Sequence, residues 1–218
     1  MPSVKCAASA STWSMALVSS YEGFIFDYGG VLVLQQTDEE LACMADIAGV
    51  PRESFNELYW SDRLDYDKGL LTAAEYWQAL ATRGAGGILT QQQIEDLVAL
   101  DSQSWMHFDE VMWSWIGQLR GAGKRVAMLS NMPRELGEAI KLSTDKLALF
   151  DQVTLSYEVR AVKPEPAIYE HCLEGIGTAP DQTLFLDDKI ANVQGAELLG
   201  IRAMQFLDRD DILLKLRS

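Results

Sequence analysis

Gly23-Phe24-Ile25-Phe26-Asp27-Tyr28-Gly29-Gly30-Val31-Leu32 is the stretch on which the fold turns. Phe24, Ile25 and Phe26 form an unbroken apolar run that ends in a carboxylate, and a glycine pair follows. A strand that is apolar without alternation is buried on both faces, as strands inside a parallel sheet are. Its charged residue then sits at the carboxyl tip, where the chain leaves the sheet. Three later runs end the same way: Val126-Ala127-Met128-Leu129 at Ser130-Asn131, Val153-Thr154-Leu155 at Ser156, and Leu184-Phe185-Leu186 at Asp187-Asp188. A fifth run, Arg202 to Phe206, follows Gly200-Ile201.

Helical patterns separate these runs. Residues 109–120 place Val111, Met112, Trp115, Ile116 and Leu119 on one face, and Gly121 and Gly123 end the helix. Pro133 opens a helix predicted to reach Leu147, and Glu165–Ile176 and Ile190–Leu199 are two more. Strand–helix alternation of this kind predicts an α/β fold, a doubly wound, mostly parallel sheet with helices on both faces. Residues 36–107 break the alternation with helices and no strand. Asp38–Ala48 is the first, Pro51 opens another, and Thr72-Ala73-Ala74-Glu75 and Thr90-Gln91-Gln92-Gln93 are capping boxes for two more. The expected organisation is a flexible N-terminal extension over 1–22, an α/β core from 23–35 and 108–218, and an inserted helical cap over 36–107.

The chain has 218 residues, long enough for one domain with a sizeable insertion, and is 48% hydrophobic and 23% charged. Eighteen Lys and Arg against 32 Asp and Glu give a net charge of −14. A far field of that sign argues against nucleic acid and anionic membranes as partners. The longest unbroken run of apolar and Gly residues, Tyr28 to Leu34, has seven residues, far short of the roughly 18 of a membrane span. Cys6, Cys43 and Cys172 are odd in number and lack CxxC spacing, the pattern of reduced thiols in a cytoplasmic protein. His107 and His171 have no partner at metal or triad spacing, and Cys172 falls mid-helix, where burial is expected.

Ligands of open α/β sheets bind at the carboxyl ends of the strands, so Asp27, Ser130, Asn131, Asp187 and Asp188 are expected to face one crevice. Lys163 stands in the string Ala161-Val162-Lys163-Pro164-Glu165-Pro166, ahead of the helix beginning near Glu165. Asp27 with Asp188 suits a hard divalent cation such as Mg²⁺. One carboxylate can attack phosphorus. Ser130 and nearby backbone N–H groups can hold a phosphoryl oxygen, and Lys163 can neutralise charge on the nucleophile and the transferring group. Asp187-Asp188 can also cap the helix that follows.

The sequence resembles the haloacid dehalogenase-like superfamily. Four of its motifs stand in order across residues 23–207: Asp27-Tyr28-Gly29-Gly30-Val31-Leu32 after the first strand, Leu129-Ser130-Asn131, Lys163-Pro164, and Leu186-Asp187-Asp188 followed by Asn192, Gly195 and Ala196. The insertion resembles the family's helical cap of the first type. The resemblance implies that Asp27 is the nucleophile of an aspartyl intermediate and that Lys163 stabilises it. Ser130 and Asn131 would position phosphate, and Gly30 is a further candidate for contact with substrate. The Gly29 carbonyl, Asp27 and Asp188 would hold Mg²⁺, with Asp187 a direct or water-bridged ligand. Asn192 lies one helical turn after Asp188, where the family often has Asp.

One departure matters. Family phosphatases usually carry a second Asp two residues after the nucleophile, as general acid and base, and here that residue is Gly29. Such a group typically contributes ~10²–10⁴ in rate. A subgroup that includes bacterial sugar-phosphate phosphatases also reads Asp-x-Gly. The expected function is a Mg²⁺-dependent phosphomonoester hydrolase of small phosphorylated metabolites, sugar phosphates among them. Alternatives are a metal-independent 2-haloacid dehalogenase, or a weakly active or non-catalytic phospholigand-binding protein. The cap stretch Tyr59 to Gly69 reads either as a solvated loop or as a specificity loop facing Asp27, with Arg63, Tyr66 or Lys68 touching substrate and Asp65 or Asp67 supplying the missing proton. Closure of the cap would exclude bulk water.

Overall fold

β1 (Gly23–Phe26) lies at the centre of a five-stranded sheet of order β3-β2-β1-β4-β5, with every pair parallel. The other strands are β2 (Arg125–Ser130), β3 (Gln152–Leu155), β4 (Thr183–Asp187) and β5 (Arg202–Gln205). The structure, a computed structural model, describes residues 19–84, 87–209 and 212.

Alternate residues of the strands feed two apolar layers, as the two-residue period of a strand requires. Phe24, Phe26, Val126, Met128, Leu184 and Leu186 pack on one face with Met112, Trp115 and Ile116. Ile25, Ala127, Leu129 and Phe185 pack on the other with Ile168, Tyr169, Cys172 and Ile176. The ring of Trp115 meets Phe26 edge to face, with centroids 5.3 Å apart. The α/β reading of the sequence holds.

Between β1 and β2 the chain is helical: α1 (Asp38–Ala48), α2 (Arg52–Ser61), α3 (Arg63–Asp67), α4 (Ala73–Gly84), α5 (Gln91–Ser104) and α6 (Glu110–Gly121). The first five surround their own apolar centre, which includes Met44, Phe55, Tyr59, Tyr76, Trp77, Leu80 and Leu97. Capping boxes start three of them, at Thr37, Thr72 and Thr90, each threonine exchanging bonds with a Glu or Gln three residues on. After β2 come α7 (Arg134–Ser143), α8 (Ser156–Val159), α9 (Pro166–Ile176) and α10 (Ile190–Glu197).

Three sequence expectations change. The helix opened by Pro133 stops at Ser143, because Thr144 is extended (φ −152°, ψ 149°), and a separate 3₁₀ turn spans Lys146–Leu149. Tyr59 to Gly69 is no solvated loop but the end of α2 and all of α3, with Tyr59, Arg63, Tyr66 and Asp67 buried. Of the expected extension over 1–22, residues 1–18 and Cys6 with them lie outside the described residues. Tyr21 and Glu22 are tied to the sheet: the Tyr21 ring packs edge-on against Phe24, and the Glu22 backbone bonds Gln182 and Arg125. No helix among the described residues is long and apolar enough to cross a membrane.

Candidate active site

The carboxyl ends of β1, β2 and β4 bring Asp27, Ser130, Asp187 and Asp188 to one edge of the sheet. Lys163 reaches them from the loop after α8. Its ammonium donates to Asp27 Oδ1 at 2.7 Å, to Asp187 Oδ2 at 2.7 Å and to the Leu129 carbonyl at 3.0 Å, so each of its three N–H bonds has an acceptor. The residue is only 2% exposed. Burial alone would lower its pKa, but Asp187 and Asp27 hold it above the ordinary lysine value.

Each neighbour is itself held. Asp27 Oδ1 also accepts from the Tyr28 N–H at 2.7 Å. Its Oδ2 accepts no hydrogen bond from a described residue, and Asp27 lines the cavity above. Asp187 accepts from the Lys189 N–H at 2.8 Å and from the Asn192 amide at 2.9 and 3.0 Å on its two oxygens. Asn131 grips the backbone of Lys163 in both directions, donating from Nδ2 to its carbonyl at 3.0 Å and accepting from its N–H at 2.8 Å. The Asn131 amide thus positions the lysine loop. Ser130 lines the cavity, its hydroxyl donating to the Asn131 carbonyl at 3.4 Å.

Asp27, Asp187 and Asp188 each offer an oxygen within 4.8 Å of the others. Three carboxylates around one buried ammonium leave an excess of negative charge. Burial first, then Asp187 and Asp188, push the Asp27 pKa up to about 7 against the opposing pull of Lys163. Burial and Asp187 also raise that of Asp188. Asp188 Oδ1 is buried with no partner, while Oδ2 accepts from Gln35 at 3.3 Å. An orphaned carboxylate oxygen beside two others is the donor set of a hard divalent cation, so the residues present fit Mg²⁺. Asp27 and Asp188 have oxygens to offer it, whereas the oxygens of Asp187 are already taken by nitrogen donors.

The cavity above these groups measures about 520 Å³. Its floor is Asp27, Ser130, Asn131, Lys163, Asp188 and Asn192, and its roof comes from α2 and α3 as Trp60, Arg63, Leu64 and Asp67. Arg63 reaches the cavity, but its charge is engaged: Nε donates to Asp67 at 2.8 Å, and Nη1 donates to Asp101 at 3.1 Å and to the Tyr59 hydroxyl at 2.6 Å. Asp67 lines the cavity as well, its pKa raised to about 6 by burial in spite of Arg63.

Several residues stand elsewhere than expected. Gly30 does not line the cavity. Its N–H is taken by the Val33 carbonyl, and its positive φ of 74° lets the chain pass against Gln35 and Asp188. Tyr66 lies behind the roof, stacked on Tyr76 and donating to Glu135 at 3.0 Å. Lys68 pairs with Glu165 at 2.7 Å, tying roof to core, and Asp65 is exposed. His107 pairs with Glu40, while Cys43 is exposed and Cys172 buried. Sequence reasoning missed two contributors. Lys189 lies over the Trp60 ring at 4.4 Å, across the mouth of the cavity. Trp105 fills the space beside Gly29: a Cβ added there meets its ring at 3.2 Å. Nothing in the spacing of either residue announces this; only the aromatic–Gly approach across 76 positions does.

The profile of the haloacid dehalogenase-like hydrolases matches residues 21–200. The chain belongs to that family. It is 24% identical over 208 residues to a sesquiterpene phosphatase of Aspergillus oryzae, covering 93% of this chain and 98% of that one. It is 24% identical over 199 residues to an (S)-2-haloacid dehalogenase of Burkholderia cepacia, covering 87% and 84%. It is similar in structure to a HAD family enzyme of Bacteroides thetaiotaomicron, an aspartate-to-alanine variant solved with magnesium and inorganic phosphate. The TM-score is 0.69 at 25% identity, covering 85% of this chain and 93% of that chain. This hydrolase therefore has both phosphatases and dehalogenases among its relatives.

Three outcomes are expected. A proton on Asp27 competes with a metal, so Mg²⁺ affinity measured by calorimetry rises with pH, by roughly tenfold per unit below about pH 7, and levels off above it. In the metal-free protein the folded chain keeps a proton that the unfolded chain has released between about pH 4 and 7, so this group's contribution to stability falls as pH rises through that window. A pH-independent affinity would contradict the first statement. Gly29→Asp meets the Trp105 ring and costs about 1–3 kcal/mol in urea unfolding, a loss reduced when Trp105 is Leu. Equal losses in both backgrounds would show that Trp105 is not the obstacle.

Proposed function

We propose that this hydrolase is a Mg²⁺-dependent phosphomonoesterase of small phosphorylated metabolites, acting through a phosphoryl group carried on Asp27. One observation carries the reading: Asp27, which lines the cavity, is fixed through Oδ1 alone, by Lys163 and the Tyr28 N–H, and its Oδ2 accepts no hydrogen bond from a described residue. Similarity to a sesquiterpene phosphatase supports phosphoryl chemistry in a chain of this length.

Oδ2 attacks phosphorus in line with the ester oxygen, the P–O bond to the organic group breaks, and an aspartyl phosphate forms. Lys163 offsets charge on the nucleophile before attack and on the acyl phosphate after it. Asp27 and Asp188, with the Gly29 carbonyl, would hold Mg²⁺, and Asp187 would support the site through Lys163. When bound, the cation supplies Lewis-acid stabilisation of the phosphoryl oxygens. Ser130 lies at the end of β2, where its hydroxyl can meet a phosphoryl oxygen.

The departing alkoxide needs a proton, and Gly29 has none to give. Asp67 is the acid of the cavity roof, and with a pKa of about 6 it keeps a protonated fraction near neutrality. We assign it the role of passing its proton to the leaving oxygen. The resulting carboxylate then takes a proton from the water that attacks phosphorus, which releases inorganic phosphate and restores Asp27. Residues 36–107 act in this reading as a cap that closes over the intermediate. A 2-haloacid dehalogenase would use the same Asp27, but it leaves Asp188, with its orphaned oxygen, without a task.

Asp27→Asn is expected to abolish Mg²⁺-dependent phosphate release; turnover retained in that variant would sink the mechanism. Asp67→Asn leaves Arg63 paired with Asp101, so the fold is kept. It is expected to lower kcat/KM on an alkyl phosphate by ~10² or more and on p-nitrophenyl phosphate, which leaves without help, by only a few-fold. Equal losses on both substrates would remove Asp67 from the proton transfer.

A further inference from the structure

We infer that the organic part of the substrate is a hydrocarbon, so that the site takes alkyl or alkenyl monophosphates in preference to sugar or polyol phosphates; this rests on the phosphatase reading above. Most polar groups of the cavity gather on its floor. Gln35 belongs there too through its bond to Asp188, whereas the ammonium of Lys189 lies 4.4 Å from the centre of the Trp60 ring, on the roof side. Beyond the floor the wall is Trp60, Leu64, Trp105, Met132 and Leu136. Trp60 is 39% exposed and Leu64 52%, large apolar groups facing a cavity contiguous with Asp27.

A sugar bound there would set its hydroxyls against these side chains. Each hydroxyl moved from water to an apolar wall needs a replacement partner or carries the penalty of a lost hydrogen bond. The roof has two charged residues, both buried and bonded to each other. Nε and Nη1 of Arg63 are engaged by Asp67, Asp101 and Tyr59, and Asp67 Oδ1 is engaged by Arg63. Four aromatic rings, of Tyr59, Trp60, Tyr66 and Tyr76, enclose the guanidinium within 6.0 Å. A hydrocarbon chain demands no partner and removes from water the exposed surface of Leu64 and the part of Trp60 that the Lys189 ammonium leaves uncovered. The volume of about 520 Å³ lies inside the usual range of roughly 300–1,000 Å³ for small-molecule sites, with room for a chain of several carbons beyond the phosphate. An alkyl alcohol is also a poor leaving group, which fits a roof that carries Asp67.

Calorimetry with n-alkylphosphonates, from methyl to octyl and in the presence of Mg²⁺, tests the inference without turnover, because the P–C bond is not hydrolysed. Affinity is expected to rise by up to about fourfold per added methylene until the cavity is filled. The slope is expected to flatten in Leu64→Asn and in Trp60→Ala, both changes at exposed positions that the fold tolerates. Equal affinity for methyl- and octylphosphonate, or tighter binding of a polyol phosphonate of matched length, would overturn it. Hydrolysis is read separately on butyl phosphate, octyl phosphate and a polyol phosphate. A chain-length slope in binding with no ester hydrolysed keeps the apolar site and removes the phosphatase reading. Asp27-dependent hydrolysis with no slope keeps that reading and removes the hydrocarbon substrate.

Discussion

The ammonium of Lys163 is the point on which the rest of the site depends. A buried lysine is costly unless its charge and its three N–H bonds are met, and two carboxylates at the same depth are as costly without it. Asp27, Asp187 and the Leu129 carbonyl meet all three bonds. That requirement orders the surroundings. Asn131 fixes the backbone of Lys163, Asn192 and the Lys189 N–H fix Asp187, and the Tyr28 N–H fixes Asp27. The arrangement is complete in hydrogen bonds at the lysine and incomplete in charge around it. The surplus of carboxylate falls at Asp188, whose unpartnered oxygen marks where a cation belongs.

A second buried cation in the cap mirrors the first. Arg63 sits among aromatic rings and two carboxylates, and its engagement stiffens the short helix that carries Leu64 and Asp67. The two clusters face each other across the cavity, and in the proposed mechanism one supplies the nucleophile and the other a proton. Trp105 packs beside Gly29, the floor position that carries no acid. Its ring lies where a side chain at position 29 would project, and its indole N–H is tied to the Tyr59 hydroxyl of the cap cluster at 3.1 Å. The same ring that crowds position 29 extends the apolar wall.

The core of this arrangement was legible because parallel strands are buried on both faces. Ionised residues are costly inside such strands, so Asp27 and Asp187 fall at their ends, as does Ser130, and the topology brings those ends to one edge of the sheet. The roles of the two asparagines were not legible. Asn131 read as a candidate for contact with phosphate, and Asn192 only as a residue one helical turn after Asp188, yet Asn131 bonds the Lys163 backbone and Asn192 bonds Asp187, because a buried amide bonds whatever donors and acceptors the fold places nearest. Gly30 read as a substrate contact from its motif, while its N–H closes a tight turn with Val33.

The sequence by itself determined the sheet, the helical insertion and the polar positions at the strand ends, since each follows from a local pattern of burial, and four motifs in order gave the resemblance to the family. It left the cap stretch Tyr59 to Gly69 undecided between loop and specificity element. Only the tertiary structure turned it into a helix end and a short helix, buried Arg63 and Asp67 as a pair, moved Tyr66 behind the wall and left Trp60 and Leu64 facing the cavity. The reason is physical: a helical cap positions side chains through packing among α1 to α5, and partners tens of residues apart, such as Arg63 with Asp101 or Gly29 with Trp105, carry no periodic signal in the chain.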